Sequence, residues 1–322
     1  MSRAASGGHW ANDREAGSAL GIRILLWVHR WFGRVPFRVA VYPVITYFFC
    51  VRRNARRASL QYLERLHAAT GALPRKPDLR MSLAHFLSFA ETILDKLLAM
   101  SGKLDAQVNI HGRDELYELV SSHRGAVVIA SHLGNLELCR ALGELIDRVP
   151  LTILVHVAHS EQFNRVLSSV TSKSQVSLLP VSEIGPGTVA DLGERVAHGE
   201  LIVIAGDRIP VAAEPRVTTA RFLGHEAAFP IGPYVVASLL QCETYLMFCT
   251  RRDHDVYRVN FEPFRQRTEL PRRHRDDAIR ELAQDYADRL ASHCAEAPLQ
   301  WFNFYPFWNL PNSHEQHEPA AR

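Results

Sequence analysis

His132 and Glu137 stand five positions apart in Ser131-His132-Leu133-Gly134-Asn135-Leu136-Glu137. The apolar run Gly125–Ser131 before them reads as a short buried strand. A helix is predicted from about Asn135 to Ile146, so the motif falls at a strand end, where open α/β sheets place their ligands. A carboxylate that accepts one imidazole N–H fixes the tautomer and leaves the other ring nitrogen as a base. On one continuous helix five residues would hold the two groups about 140° apart; across a loop–helix junction they can converge. Gly134 lets a reacting group approach the backbone closely. The N–H groups near Gly134 and Asn135 are candidate donors to an oxyanion. Taken alone, this spacing more often marks an exposed capping histidine beside an unrelated glutamate.

The run Ile204-Ala205-Gly206-Asp207-Arg208 lies at another strand end. Asp207 and Arg208 there can bind a phosphate or orient a substrate; the plain alternative is an ion pair in a turn. Further on come Arg221-Phe222-Leu223-Gly224 and Phe229-Pro230-Ile231-Gly232-Pro233. Phe222, Gly224, Phe229 and Gly232 are expected in an apolar loop that walls a pocket, or simply in a loop. From Trp301 to Trp308, six of eight residues are aromatic. That suits a membrane-interface belt or the lid of an acyl groove, against a C-terminal strand docked on the core. His156-x-x-His159 with Glu161 has metal-binding residue types, but such a pair is more often incidental, and no metal or cofactor is expected. No G-x-S-x-G, Walker, G-x-G-x-x-G or H-E-x-x-H motif occurs, which argues against hydrolase, nucleotide-binding and zinc-protease readings.

The elements that must position these residues alternate. Residues 79–101 keep a helical period through Leu83, Phe86, Leu87, Ala90, Leu94 and Leu98. Strands are predicted at Gly125–Ser131, Leu151–Val157, Leu201–Ala205, Thr244–Thr250 and Tyr257–Phe261. Helices are predicted at Glu161–Ser169, Gly185–Gly199, Pro233–Gln241 and Asp276–Ala295. Strands alternating with helices predict an α/β fold with a mixed, largely parallel sheet.

The 322 residues are 47% apolar and 22% charged, which excludes bulk disorder. Five widely spaced Cys with no C-x-x-C read as a reducing compartment. The net charge of +3 is unevenly distributed. Residues 1–60 carry ten Arg against Asp13 and Glu15, or +8, leaving −5 for the rest. Leu20–Gly33 reads as an interfacial amphipathic helix. Val35–Val51 is apolar but interrupted by Arg38 and Pro43 and followed by Arg52, Arg53, Arg56 and Arg57. An anchor lying in the interface fits it better than a full span or a buried core helix, and the basic flanks favour the cytoplasmic face. The expected organisation is a membrane-associating N-terminal segment over 1–57, a catalytic domain over 58–311 and a polar tail over 312–322. The aromatic interleaving and the lack of any nucleic-acid motif argue against nucleic-acid binding.

Together these residues resemble the lysophospholipid acyltransferase superfamily, nearest the bacterial late lipid A acyltransferases. His132 and Glu137 match its His-x4-acid motif. Asp207-Arg208 sits where lipid A enzymes carry Asp-Gln, and Phe222-Leu-Gly with Pro230-x-Gly-Pro matches the next block. Arg208 and the W-F-N-F-Y-P-F-W ending resemble the branch associated with lipid-linked pigments such as aryl polyenes. The resemblance implies an inner-membrane enzyme that moves an acyl chain from an acyl carrier protein thioester to a lipid hydroxyl. His132 would be the base and Glu137 its partner, with Gly134, Asn135, Asp207, Arg208, Phe222, Gly224, Phe229 and Gly232 binding substrate. The alternatives are a thioesterase or esterase in which His132 activates water, and an inactive membrane-binding module.

Overall fold

The computed structural model describes residues 34–100, 106–135, 149–155, 176–181, 185–209, 215–253 and 256–309. Glu137, His156, His159 and Glu161 lie outside the described residues. So do Leu20–Gly33, the tail after residue 311 and the helices expected after Asn135 and from Glu161.

Three helices come first: α1 (Arg34–Val51), α2 (Arg53–Thr70) and α3 (Leu79–Met100). The stripe Ala58, Ser59, Tyr62, Leu63 and Leu66 buries one face of α2 at helical spacing. This helix runs unbroken through residue 57, where the boundary of the N-terminal segment was expected. Helix α1 packs Val41 and Phe49 inward. Arg38 also turns inward: its Nε–H donates to Glu91 Oε1 on α3 at 2.7 Å, and Tyr42 donates to the same oxygen at 3.1 Å. Among the described residues no helix is long and apolar enough to cross a membrane.

The remaining described elements are β1 (Gln107–His111), α4 (Arg113–Ser121), β2 (Ala126–Gly134), β3 (Leu151–Val155), β4 (Val176–Pro180) and α5 (Pro186–Ala197). Then follow β5 (Leu201–Ala205), β6 (Val217–Phe222), β7 (His225–Pro230), α6 (Gly232–Leu240), β8 (Thr244–Asp253), β9 (Val256–Arg265) and α7 (Arg275–Glu296). Seven strands form one sheet in the order β1-β9-β8-β2-β5-β3-β4. Every pair in it is parallel except β8 with β9. The architecture is the α/β one expected, with a mixed, largely parallel sheet flanked by helices.

Ala126–Ala130 of β2 and all of β5 are unbroken apolar runs because both sheet faces are covered. Val127 and Ile129 of β2 face the cluster holding Tyr286 and Leu290 of α7 and Tyr234 of α6. Ala126, Val128 and Ala130 face the cluster holding Leu116 and Leu119 of α4. The stretch expected as a loop around Phe222 and Phe229 is instead the antiparallel hairpin β6–β7. Its two turn residues, Leu223 and Gly224, both have positive φ (50° and 82°), the conformation of a type I′ turn.

Candidate active site

Strands β2 and β5 run parallel, with Ala130 opposite Ala205. Two residues beyond each lie His132 and Asp207, so the ladder register brings them to one level at the carboxyl edge of the sheet. On its other side β2 departs from regular pairing. Ala130 faces Met247 of β8, but Gly134 faces Cys249, so four steps along β2 match two along β8. Such bulges re-aim side chains and recur beside active sites. Ser131 shapes this one, its Oγ accepting the Leu133 N–H at 3.2 Å.

Gly134 closes the bulge at φ +71°, and a Cβ there would lie 1.9 Å from the Cys249 carbonyl oxygen. Neither the left-handed conformation nor the contact suits an L side chain. Gly134→Ala is therefore expected to destabilise the fold by about 3 kcal/mol or more. Thermal unfolding checks this; an unchanged melting temperature would mean that the bulge adapts without strain.

Asp207 takes three hydrogen bonds. Its Oδ1 accepts from His132 Nδ1 at 2.8 Å, and its Oδ2 accepts from the His132 backbone N–H at 2.7 Å and Trp301 Nε1–H at 3.0 Å. The Asp207 side chain is 1% exposed and that of His132 30%. Burial pushes the Asp207 carboxyl up, but the charge and hydrogen bonds of His132, joined by Arg208, outweigh it and hold the group below the usual carboxylate range. Burial, then the Arg208 charge, lower the His132 imidazole below its ordinary value; Asp207 only partly offsets them, and Lys96 adds to the lowering. The ring is therefore neutral near pH 7. An ionised Asp207 can only accept, so Nδ1 carries the ring proton and Nε2 keeps its lone pair. This is a general base held by a carboxylate.

The carboxylate on Nδ1 is thus Asp207, which the sequence reading placed among substrate contacts; facing inward with three donors, it has no face left for a ligand. The signal was present as a near-repeat. Val128-Ile129-Ala130-Ser131-His132 and Val203-Ile204-Ala205-Gly206-Asp207 end two buried strands in the same way.

The backbone donors expected at Gly134 and Asn135 are spent, on Gln300 O at 2.7 Å and Cys249 O at 2.8 Å. Those bonds belong to a clamp made by residues 300–302. Phe302 N–H returns to His132 O at 3.2 Å, and Leu133 bridges Trp301 in antiparallel fashion. Gln300 also pins the end of β8, accepting from Arg251 N–H at 2.8 Å and donating to Arg251 O at 2.6 Å. The aromatic ending is therefore docked on the core. Trp301, Phe302, Phe307 and Trp308 are all buried, and Trp308 stacks on Phe222 at 5.9 Å.

Phe222 and Phe229 are fully buried among these rings, so they fill the core and do not wall an open groove. Gly224 lies in the hairpin turn and Gly232 begins α6, so these two shape the scaffold. Arg208 stays at the site: its Nη2 donates to Phe302 O at 3.1 Å, and its charge acts on His132. Among the described residues no His/Cys/Asp/Glu group could hold a metal ion.

None of the curated proteins compared with the chain matches it. Residues 80–309, more than two thirds of the 322, match the family described as bacterial lipid A biosynthesis acyltransferase. The matched stretch holds the strands that carry His132 and Asp207 and the clamp from Gln300 to Phe302. The chain belongs to the bacterial lipid A biosynthesis acyltransferase family and is an acyltransferase.

Proposed function

We propose that this acyltransferase works on membranes, moving an acyl chain from an acyl carrier protein thioester to a hydroxyl of a lipid acceptor at the cytoplasmic face of the bacterial inner membrane. The observation that carries the reading is the 2.8 Å contact of His132 Nδ1 with Asp207 Oδ1, which leaves Nε2 as the ring nitrogen that takes a proton. A hydroxyl is a poor nucleophile near neutral pH and needs such a base. Nε2 removes the hydroxyl proton as the oxygen attacks the thioester carbonyl carbon, and Asp207 stabilises the imidazolium. The tetrahedral intermediate then breaks its C–S bond, and the imidazolium returns the proton to the leaving thiolate. No acyl-enzyme is needed, which fits a chain without a nucleophile elbow. The H-x4-E spacing supports Glu137 as a second acid of the site. Arg208 provides positive charge for the phosphate of the donor's carrier arm, and surface arginines suit an acidic carrier protein.

Membrane association is supported by the outward side of α1. Val39, Val44, Tyr47 and Val51 are exposed there, each at least half so, and the exposed Arg53 and Arg57 follow. An apolar stripe beside cations suits an anionic bilayer surface.

Two measurements test the proposal. With an acyl carrier protein thioester and lipid vesicles, mass spectrometry is expected to find the acylated lipid. Free acid alone would make the chain a thioesterase, and no turnover would leave a binding module. Separately, the full chain is expected to sediment with vesicles containing phosphatidylglycerol, and a Val44→Glu, Tyr47→Glu double variant to sediment much less. If wild type stays in the supernatant at physiological salt, the membrane reading fails.

A further inference from the structure

His85 of α3 is fully buried and lies outside the machinery described so far. Its Nε2 sits 3.0 Å from the Trp301 carbonyl oxygen, and its Nδ1 lies 3.0 Å from Ser59 Oγ on α2. Ser59 Oγ is in turn 2.8 Å from Ser82 Oγ. Burial lowers His85 to about 4, outweighing the opposite pull of the Trp301 carbonyl, so one ring proton is present at neutral pH. A carbonyl can only accept, so that proton is on Nε2. Nδ1 must then accept from Ser59, and Ser59 from Ser82. The hydrogen bonds therefore run one way, from Ser82 through Ser59 and His85 to Trp301 O.

Trp301 continues the path, because its indole N–H reaches Asp207, which holds His132. The same residue is the centre of the clamp whose neighbours Gln300 and Phe302 bond the backbone on either side of Leu133, at Gly134 N–H and at the His132 carbonyl. His85 is the polar brace behind that clamp. Rings pack around it: Tyr62 at 5.6 Å, Phe304 at 4.8 Å and Phe302 at 6.0 Å. Of the hydrogen bonds that hold residues 300–302, the one from His85 ties the Trp301 carbonyl to α3 and, through Ser59, to α2.

We propose that His85 is a positioning residue for the reaction, holding the Trp301 carbonyl so that the indole keeps Asp207, and through it the His132 imidazole, in catalytic geometry. The proposal rests on His132 as the general base. It gives helices α2 and α3 a part in turnover, although Ser59 lies outside the stretch that matches the family.

Two near-isosteric replacements separate this role from plain packing. In His85→Gln, the side-chain amide N–H can reach where Nε2–H stood and donate to Trp301 O. In His85→Asn, the shorter amide can still accept from Ser59 but cannot reach Trp301. The expected result is a fall in kcat of about 10- to 100-fold for His85→Asn with KM little changed, and recovery of most of that loss in His85→Gln. The His132 titration should move as well. Loosening the indole admits water and frees the carboxylate to favour the imidazolium, so the His132 midpoint should rise in His85→Asn. Asp207, Arg208 and Lys96, the charged groups that act on His132, are unchanged in both variants.

The titration can be followed by NMR of ring-labelled histidine without any acyl transfer, so it tests the brace even if the reaction proves to be different. Thermal melts identify any variant that fails to fold. Ser59→Ala supplies a third measurement, removing the donor to Nδ1 while leaving His85 in place, and should shift His132 in the same direction by less. Equal kcat in folded Asn and Gln variants, or a His132 midpoint that stays put in the Asn and Ser59 variants, would overturn the proposal.

Discussion

His132→Ala is expected to lower acyl-transfer turnover by about 10²–10⁴, the usual contribution of a positioned general base. The geometry also sets the pH dependence. The folded imidazole is depressed by burial and by the charge of Arg208. Below its folded pKa the ring is protonated and cannot accept from a hydroxyl. The acid limb of kcat/KM in the wild type, which reports the free enzyme, should therefore fall below the ordinary imidazole value of about 6.5, and should vanish from the residual activity of the variant. Some stability is lost too, since Asp207 Oδ1 loses its ring donor in a buried site, about 1–3 kcal/mol. Rates should thus be taken on protein shown to be folded, with chemistry rate-limiting. A folded His132→Ala enzyme with near-normal turnover would remove His132 from the reaction.

The sheet was legible where strands are buried on both faces. Val127–Ala130 and Leu201–Ile204 are unbroken apolar runs because helices cover both sides. Edge strand β1, Gln-Val-Asn-Ile-His, buries only part of one face and offers too short an alternation to stand out. The hairpin was missed because its turn, Leu223-Gly224, lacks the Asn-Gly or Asp-Gly signal of such turns. At the site, spacing drew attention to the nearest acid in sequence, Glu137. The carboxylate on His132 Nδ1 lies 75 residues away, on the neighbouring parallel strand. Sequence distance is a poor guide here, since adjacent parallel strands are necessarily joined by long crossovers. The aromatic ending misled for a different reason. Dense aromatics suit both an interface and a core, and only packing against Phe222, Tyr62 and His85 decides for the core.

Asp207→Asn should be nearly as damaging to turnover as loss of the base itself, by about 10²–10⁴, with a much smaller effect on folding than Asp207→Ala. The reason lies in proton direction. Asp207 receives three hydrogen bonds and gives none. An asparagine can present its oxygen to the His132 backbone N–H and the Trp301 indole, keeping two buried donors satisfied. Its NH₂ group then faces Nδ1, which must become the acceptor, so the ring proton moves to Nε2 and the base disappears. Alanine instead strands both buried donors at about 1–3 kcal/mol each, and should lose stability as well as activity. The stability difference between wild type and Asp207→Asn has a definite pH trend. The folded carboxyl is depressed, so its ionised form contributes stability above the unfolded carboxylate value of about 3.9. That contribution is lost as pH falls through the lower folded value. The two proteins should therefore differ most near neutrality and converge in acid. Denaturant unfolding across pH, read beside NMR of the His132 ring proton, checks both halves. An Asn variant that retains the Nδ1–H tautomer and full turnover would show that Asp207 serves the fold alone.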